Sequence, residues 1–209
     1  MKLNNKRTIL VGLAFLSICA FWQMYDSIVP LILTKTFHMN ETFSGAIMAA
    51  DNILALFLLP FFGSVSDKSH SKLGKRMPFI LFGTGCAIIL MNILPLLDNS
   101  YAAQPSGFKT ASFVIVLVAM GTYRAPAVAL MPDVTPKPLR SRANAIINLM
   151  GAVGGILYLG VAAVLYPNSK TAGLDHVNYQ PLFIVVSAIM FVAVAVLFLT
   201  TREPKLTAE

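Results

Sequence analysis

Long apolar runs alternate with short polar links along this chain. Each run is about as long as the 20 or so residues that a helix needs to cross the hydrocarbon core of a bilayer, which is about 30 Å thick. Because a backbone in lipid must satisfy its own hydrogen bonds, the pattern predicts an all-α, polytopic membrane protein. Six transmembrane helices are predicted, at about 8–33, 42–63, 77–97, 111–131, 143–166 and 182–200.

The composition supports a protein whose partner is the lipid bilayer. The chain is 56% hydrophobic and only 12% charged, whereas soluble domains carry about 25% charged residues. The net charge of +7 is compatible with nucleic-acid binding. The basic residues lie in short links between apolar runs, however, so we expect no nucleic-acid partner. Cys19 and Cys86 both lie inside apolar runs and do not indicate a disulfide framework.

The first apolar run has the basic start of a secretory signal peptide, and cleavage after it is the alternative to a retained helix. The run continues past Trp22 to Leu33, which is too long for the apolar part of a signal peptide. We therefore predict a retained first transmembrane helix.

The positions of the basic residues predict the orientation. Of the 16 Lys and Arg residues, twelve fall in the termini and in the links after the second and fourth runs, and three fall in the other links. The remaining one, Arg124, lies inside the fourth run. The positive-inside rule places both termini in the cytoplasm, and we expect the chain to lie in the cell membrane.

The link between the second and third runs, GSVSDKSHSKLGKRMPFI, has an unusual order of residues. Gly63 is followed four residues later by Asp67, and Gly74 directly precedes Lys75 and Arg76. This order resembles the signature loop of the major facilitator superfamily between helices 2 and 3. The ending Gly-Lys-Arg-x-Pro-Phe-Ile is similar to the loop of plant-type sucrose transporters and their bacterial relatives, and also to that of the glycoside–pentoside–hexuronide cation symporters.

A second stretch, ALMPDVTPKPLRSRANAIINLMGAVGGILYLG, resembles the sucrose-transporter pattern around the fifth helix. The resemblance implies the N-terminal half-bundle of a major facilitator fold, with residues 1–209 as one six-helix bundle and the second half of the fold absent. Ion pairs and helix-end contacts that lock and release one conformation are then expected at the cytoplasmic side. The residues expected to form this switch are Gly63, Asp67, Gly74, Lys75, Arg76, Asp133, Arg140 and Arg142.

Polar side chains also occur inside the apolar runs, where a charge costs roughly 2.5 kcal/mol or more. One hypothesis is a substrate and proton site that lines a central cavity. The alternative is a structural ion pair between Arg124 and Asp51, with the aromatic residues serving only for packing. The candidate substrate- and ion-binding residues are Gln23, Asp26, Asp51, Asn52, Arg124, Asn148, Trp22, Tyr25 and Tyr123.

Two functions remain open from the sequence. The first is secondary active transport of a sugar or glycoside by alternating access, with coupling to protons. The partner expected for this function is a C-terminal half or a second copy of the chain. The second is a truncated, non-transporting six-helix module or an assembly partner of a separate C-terminal half. Asp51 is followed one turn later by Ala55, which departs from the paired acidic residues of melibiose-type symporters. The three histidines lie in separate links, and we expect no metal, no cofactor and no enzyme.

Overall fold

The computed structural model describes residues 5–68, 77–104, 107, 109–112, 115, 140–171, 173–174 and 176–200. Most of these residues are in helices, and none of them is in a strand. A five-residue π-helical turn, Ile32–Thr36, continues the first helix, and a single helical turn, Asn168–Thr171, follows the fourth. The long helices are α1 (Asn5–Leu31), α2 (Glu41–Asp67), α3 (Met77–Ala103), α4 (Arg140–Leu165) and α5 (Gln180–Thr200).

Four segments of the described chain are long and apolar enough to cross a membrane. They are Thr8–Thr36, Met77–Ala103, Asn144–Leu165 and Gln180–Thr200. The prediction of a multi-pass helical membrane protein is therefore confirmed. The predicted fourth span, 111–131, lies outside the described residues except for 111, 112 and 115, which are helical. Six spans thus remain a prediction.

Two helices extend into segments that the sequence assigned to cytoplasmic links. α2 continues to Asp67, so Gly63 and Asp67 are helical and the link begins only after them. α4 begins at Arg140, three residues before the predicted start of the fifth span. Hydropathy places a helix end where the apolar run ends, whereas backbone hydrogen bonding continues through polar residues that reach the aqueous boundary.

α1 forms the centre of the bundle. It makes its most extensive contacts with α4 and α5, while α3 packs mainly against α5. Large side chains of α1, including Phe21, Met24 and Tyr25, are among the most deeply buried in the described chain. Met91 of α3 and Phe183 of α5 are fully buried in the same core. Along most of its length, α1 is thus surrounded by other helices of the protein and not by lipid.

Hydrogen bonds also organise the ends of the helices. The Asn40 Oδ1 atom accepts a bond from the Thr42 backbone N–H at 2.9 Å, which caps the start of α2. The Lys109 Nζ atom donates to the Ser100 carbonyl at 2.7 Å and to the Gln104 carbonyl at 2.9 Å. A cation at the negative end of the helix dipole stabilises the last turn. This contact accounts for the continuation of α3 to Ala103, beyond the apolar run that predicted an end at 97.

Candidate functional site

An open groove of about 360 Å³ runs along the contact between α1 and α4. Its polar side chains are Gln23 of α1 and Asn148 of α4. Both are residues that the sequence analysis proposed for substrate binding, and the fold brings them to one surface. The groove is lined by Phe15, Cys19, Gln23, Asn148, Gly151, Ala152, Gly155, Ile156 and Leu159.

The exposure pattern of α1 distinguishes this surface from a face that only meets lipid. From residue 10 to residue 30 every side chain of α1 is buried or half-buried except Gln23 and Asp26, which are exposed. The apolar side chains of this stretch are therefore covered, while an amide and a carboxylate are exposed. Since exposing polar groups to hydrocarbon is costly, this face is suited to water, a ligand or another polar protein surface.

Glycines allow α1 and α4 to approach closely enough to form the floor of the groove. A Cβ atom at Gly154 would collide with the backbone carbonyl oxygen of Leu16. A Cβ atom at Gly151 would come within 2.8 Å of the Cys19 Sγ atom. The sequence analysis did not include these glycines among the site residues, although the small-xxx-small spacing of Gly151 and Gly155 is typical of close helix packing in membranes.

The amide of Gln23 lies close to Gly155 of α4. A Cβ atom at Gly155 would be 3.8 Å from the Gln23 Oε1 atom, so the two sit at the same level of the groove. Asn148 lies seven residues earlier on α4, which corresponds to about 10 Å along the helix axis. The two amides therefore stand at different levels of the groove, with small side chains between them.

The two aromatic candidates on α1 have different environments. Tyr25 is only 2% exposed and belongs to the hydrophobic core, so it does not face the groove. Trp22 is partly buried and packs edge-on against Phe21 and Tyr25, with ring centroids 5.2 Å and 5.0 Å apart. Packing is therefore the role that the structure supports for Tyr25. Neither ring lines the groove.

Several predicted residues are described only by their backbone, and others are not described at all. Asp51, Asn52, Gly63 and Asp67 are on α2, and Arg140 and Arg142 are on the first turn of α4, but their side chains are not described. Their backbones place the first four on one helix and the two arginines on another. The predicted pairing of Asp51 with Arg124 therefore stays a prediction. The residues whose backbone is not described are Gly74, Lys75, Arg76, Tyr123, Arg124 and Asp133.

The spacing of residues along α1 could have added Phe15 and Cys19 to the predicted site. Phe15, Cys19 and Gln23 recur every four residues, which places them on one helical face. A small or apolar residue on such a face gives no signal of its own, however, because the same pattern occurs wherever helices pack. Only the contact with α4 shows that this stripe is one wall of a groove. Within the described residues, no group of three or more His, Cys, Asp or Glu side chains could hold a metal ion.

Comparison with known proteins agrees with this architecture. The chain is 32% identical over 158 residues to the sucrose transport protein SUC3 of Arabidopsis thaliana, a match that covers 68% of this chain and 26% of that protein. It is 34% identical over 154 residues to the sucrose transport protein SUT3 of Oryza sativa subsp. indica, covering 65% of this chain and 30% of that protein. The matched region is thus less than a third of each relative.

The family model agrees with the fold and with the motifs. Residues 11–209 match the model of the Major Facilitator Superfamily, which includes all of α2 to α5 and most of α1. The match also covers the groove and both of the motif stretches that suggested the resemblance. The chain therefore belongs to the Major Facilitator Superfamily.

Proposed function

We propose that this chain is the N-terminal half of a sugar carrier of the cell membrane, which works by alternating access with proton coupling. The main observation in support is the groove between α1 and α4, where the exposed amides of Gln23 and Asn148 lie on transmembrane helices. In such carriers, substrate binds near the bilayer midplane between two halves. The groove is one wall of that site, and a C-terminal half supplies the other.

The chemistry of the groove suits a neutral, hydroxyl-rich substrate. Amide side chains both donate and accept hydrogen bonds, as sugar hydroxyl groups do, and neither groove amide carries a charge. The groove volume of about 360 Å³ lies at the low end of the range for ligand sites, roughly 300–1,000 Å³. Because the amides are about 10 Å apart along α4, contact with both favours a disaccharide or glycoside over a single sugar ring. The sucrose transport proteins among the relatives support this substrate class.

Asp26 is our candidate for the coupling proton. It lies three residues beyond Gln23 on α1 and is exposed on the same open face. A carboxylate that is closed off from water when the halves meet gains from taking up a proton, and it can release the proton when water returns. Uptake of a proton at Asp26 thereby becomes linked to closure over a substrate at Gln23. Asp51 and Arg124 complete this proposed site.

We propose that the cytoplasmic switch lies at the helix ends. α2 reaches Asp67 and α4 starts at Arg140, so an acidic residue ends one helix and basic residues begin another. We propose that ion-pair contacts form and break between these helix ends. Such contacts are suited to locking one conformation reversibly. With both termini cytoplasmic, these helix ends lie on the inner side of the membrane, together with the predicted switch residues Gly74, Lys75, Arg76 and Asp133.

Uptake by reconstituted protein tests the proposal. Liposomes that carry this chain together with the C-terminal half of a related carrier, or with a partner encoded next to it, should accumulate labelled sucrose when the outside is acidic. Accumulation should fall when a protonophore collapses the gradient. Gradient-driven uptake by this chain alone would contradict the half-carrier proposal. Absence of uptake with every partner would favour the second candidate, a non-transporting module, which the short match to the relatives leaves open.

Substitutions of similar shape separate groove chemistry from folding. Gln23→Met and Asn148→Leu keep most of the side-chain volume but remove the amide. Each should raise the KM for sugar by about fivefold or more, since leaving a substrate hydroxyl unpaired costs about 1–3 kcal/mol. Asn144→Leu is the matched control, because Asn144 is exposed one turn from Asn148 but does not line the groove. An equal effect of all three changes would place the substrate elsewhere.

The two cysteines provide a direct test of occupancy. Cys19 lines the groove, whereas Cys86 is on α3 and does not. A single-cysteine protein with Cys86→Ser should react more slowly with a small maleimide when sucrose is bound, because the sugar covers Cys19. The Cys19→Ser protein should react at the same rate with and without sugar. Protection of Cys86 alone would show that the sugar binds outside the groove.

A further inference from the structure

A polar cluster joins the ends of several helices on the side where α1 and α3 end and α5 begins. We call it the His176 cluster, and it consists of Thr36, Asp98, Asn99, His176 and Asn178. The His176 Nε2 atom is 3.0 Å from Asn99 Oδ1, and its Nδ1 atom is 3.3 Å from Thr36 Oγ1. The Asn99 Nδ2 atom donates to Asn178 Oδ1 at 2.9 Å. None of these contacts belongs to the groove.

The hydrogen bonds of Asn99 assign the protons of the imidazole. Because the Asn99 amide nitrogen donates to Asn178, its oxygen faces His176 and accepts from the Nε2–H group. The Nε2 atom of His176 therefore carries a hydrogen in both charge states of the ring. The other ring nitrogen, Nδ1, lies 3.9 Å from the Asp98 Oδ2 atom and 3.3 Å from the Thr36 Oγ1 atom.

Asp98 is the second half of this pair. Its side chain is 0% exposed, and neither carboxyl oxygen has a hydrogen-bond partner among the described residues. The Thr36 hydroxyl lies close to the carboxyl but does not reach hydrogen-bond geometry with it. A buried carboxylate facing an imidazole lone pair would be strongly unfavourable. One proton, on either the carboxyl group or Nδ1, removes that penalty.

The other titratable groups around the pair do not supply this proton. Tyr179, in the link before α5, is affected electrostatically by Asp98, and also by Tyr158 of α4 and by Tyr166 just after α4. Burial raises the pKa of Tyr179 above its usual value, and these three groups add to the rise. Tyr179 therefore stays neutral at physiological pH. His176 is 30% exposed and links the buried carboxyl to solvent.

We propose that Asp98 and His176 form a proton-binding site, in which one shared proton holds the ends of α1, α3 and α5 together. The ligand is a proton from the aqueous side that His176 faces. When the proton leaves, a buried carboxylate remains opposite a neutral imidazole, and the cluster loosens. This site is separate from the candidate proton site at Asp26, and it exists whether or not the chain moves a sugar.

The pH dependence of stability tests the site in the intact 209-residue chain in lipid nanodiscs. In the unfolded chain both groups are in water, so loss of the proton there leaves no buried charge, whereas in the folded chain it leaves the buried Asp98 carboxylate uncompensated. The stabilisation is therefore fully present at low pH and is lost as the pH rises, so the unfolding temperature should fall between about pH 6 and pH 9. An Asp98→Asn protein lacks the buried charge. It should be less stable than the wild type near pH 6 and more stable near pH 9, so that the two profiles cross.

His38→Asn is the matched control, because it removes an exposed histidine from a nearby link at a position with φ of 51°, which asparagine tolerates. Its profile should fall with pH as the wild type does. A uniform offset between the Asp98→Asn and wild-type profiles at all pH values would overturn the proposal. If Asp98→Asn does not fold, the wild-type and His38→Asn profiles decide alone, since a flat profile in either excludes a stabilising shared proton.

Discussion

Gly154 gives the sharpest test of how the groove is built. Replacing it with alanine adds a Cβ atom that collides with the Leu16 carbonyl oxygen and lies 3.0 Å from the Leu16 carbonyl carbon and 3.1 Å from its Cα atom. All three are backbone atoms, so no side chain can turn away. α1 and α4 must move apart to relieve the overlap, and this increases the distance between the two helices along the groove.

The magnitude follows from comparing two opposing terms. Overpacking of this kind costs about 1–3 kcal/mol, and an immovable backbone neighbour favours the upper part of that range. Replacing a helical glycine with alanine returns about 0.5–1 kcal/mol. The expected net destabilisation is therefore about 1–2 kcal/mol. Gly12→Ala should cost less, although its Cβ atom would come within 2.7 Å of Met150 Cγ, because the methionine side chain can change rotamer.

Reversible unfolding in mixed micelles with increasing denaturing detergent measures these differences. Gly160→Ala is the matched control on the same helix, because nothing lies within 4 Å of its added Cβ atom; it should be neutral or slightly stabilising. The expected order of destabilisation is Gly154, then Gly12, then Gly160. If Gly154→Ala is as stable as Gly160→Ala, the close contact between α1 and α4 is wrong.

Two further pairs can be tested by double-mutant cycles. The Asn92 Nδ2 atom donates to Ser187 Oγ at 2.6 Å between α3 and α5, so Asn92→Ala and Ser187→Ala should show a coupling of about 0.6 kcal/mol and no more than about 1.7; simple additivity would show that the bond does not hold the two helices. Asp51→Asn combined with Arg124→Gln should be milder than Arg124→Ala alone in a reconstituted full carrier, and additive effects would make Asp26 the candidate partner of Arg124.

The sequence alone determined the class of the protein. Apolar runs of bilayer length and a scarcity of charge permit only helices in lipid, and α1, α3, α4 and α5 confirm that reading. The signature order from Gly63 to Arg76 also indicated the superfamily, which the family model confirms. These features are local: each depends on residues close together in the chain, so no knowledge of helix packing is needed to recognise them.

The tertiary structure decided which side chains meet. The sequence analysis proposed both Gln23 and Tyr25 for substrate binding, but packing buries Tyr25 in the core and leaves Gln23 exposed. The pair of Asp98 and His176 joins residues 78 positions apart, and no spacing rule connects them. Burial and long-range contact depend on how helices lie against one another, which the order of residues along one helix does not specify.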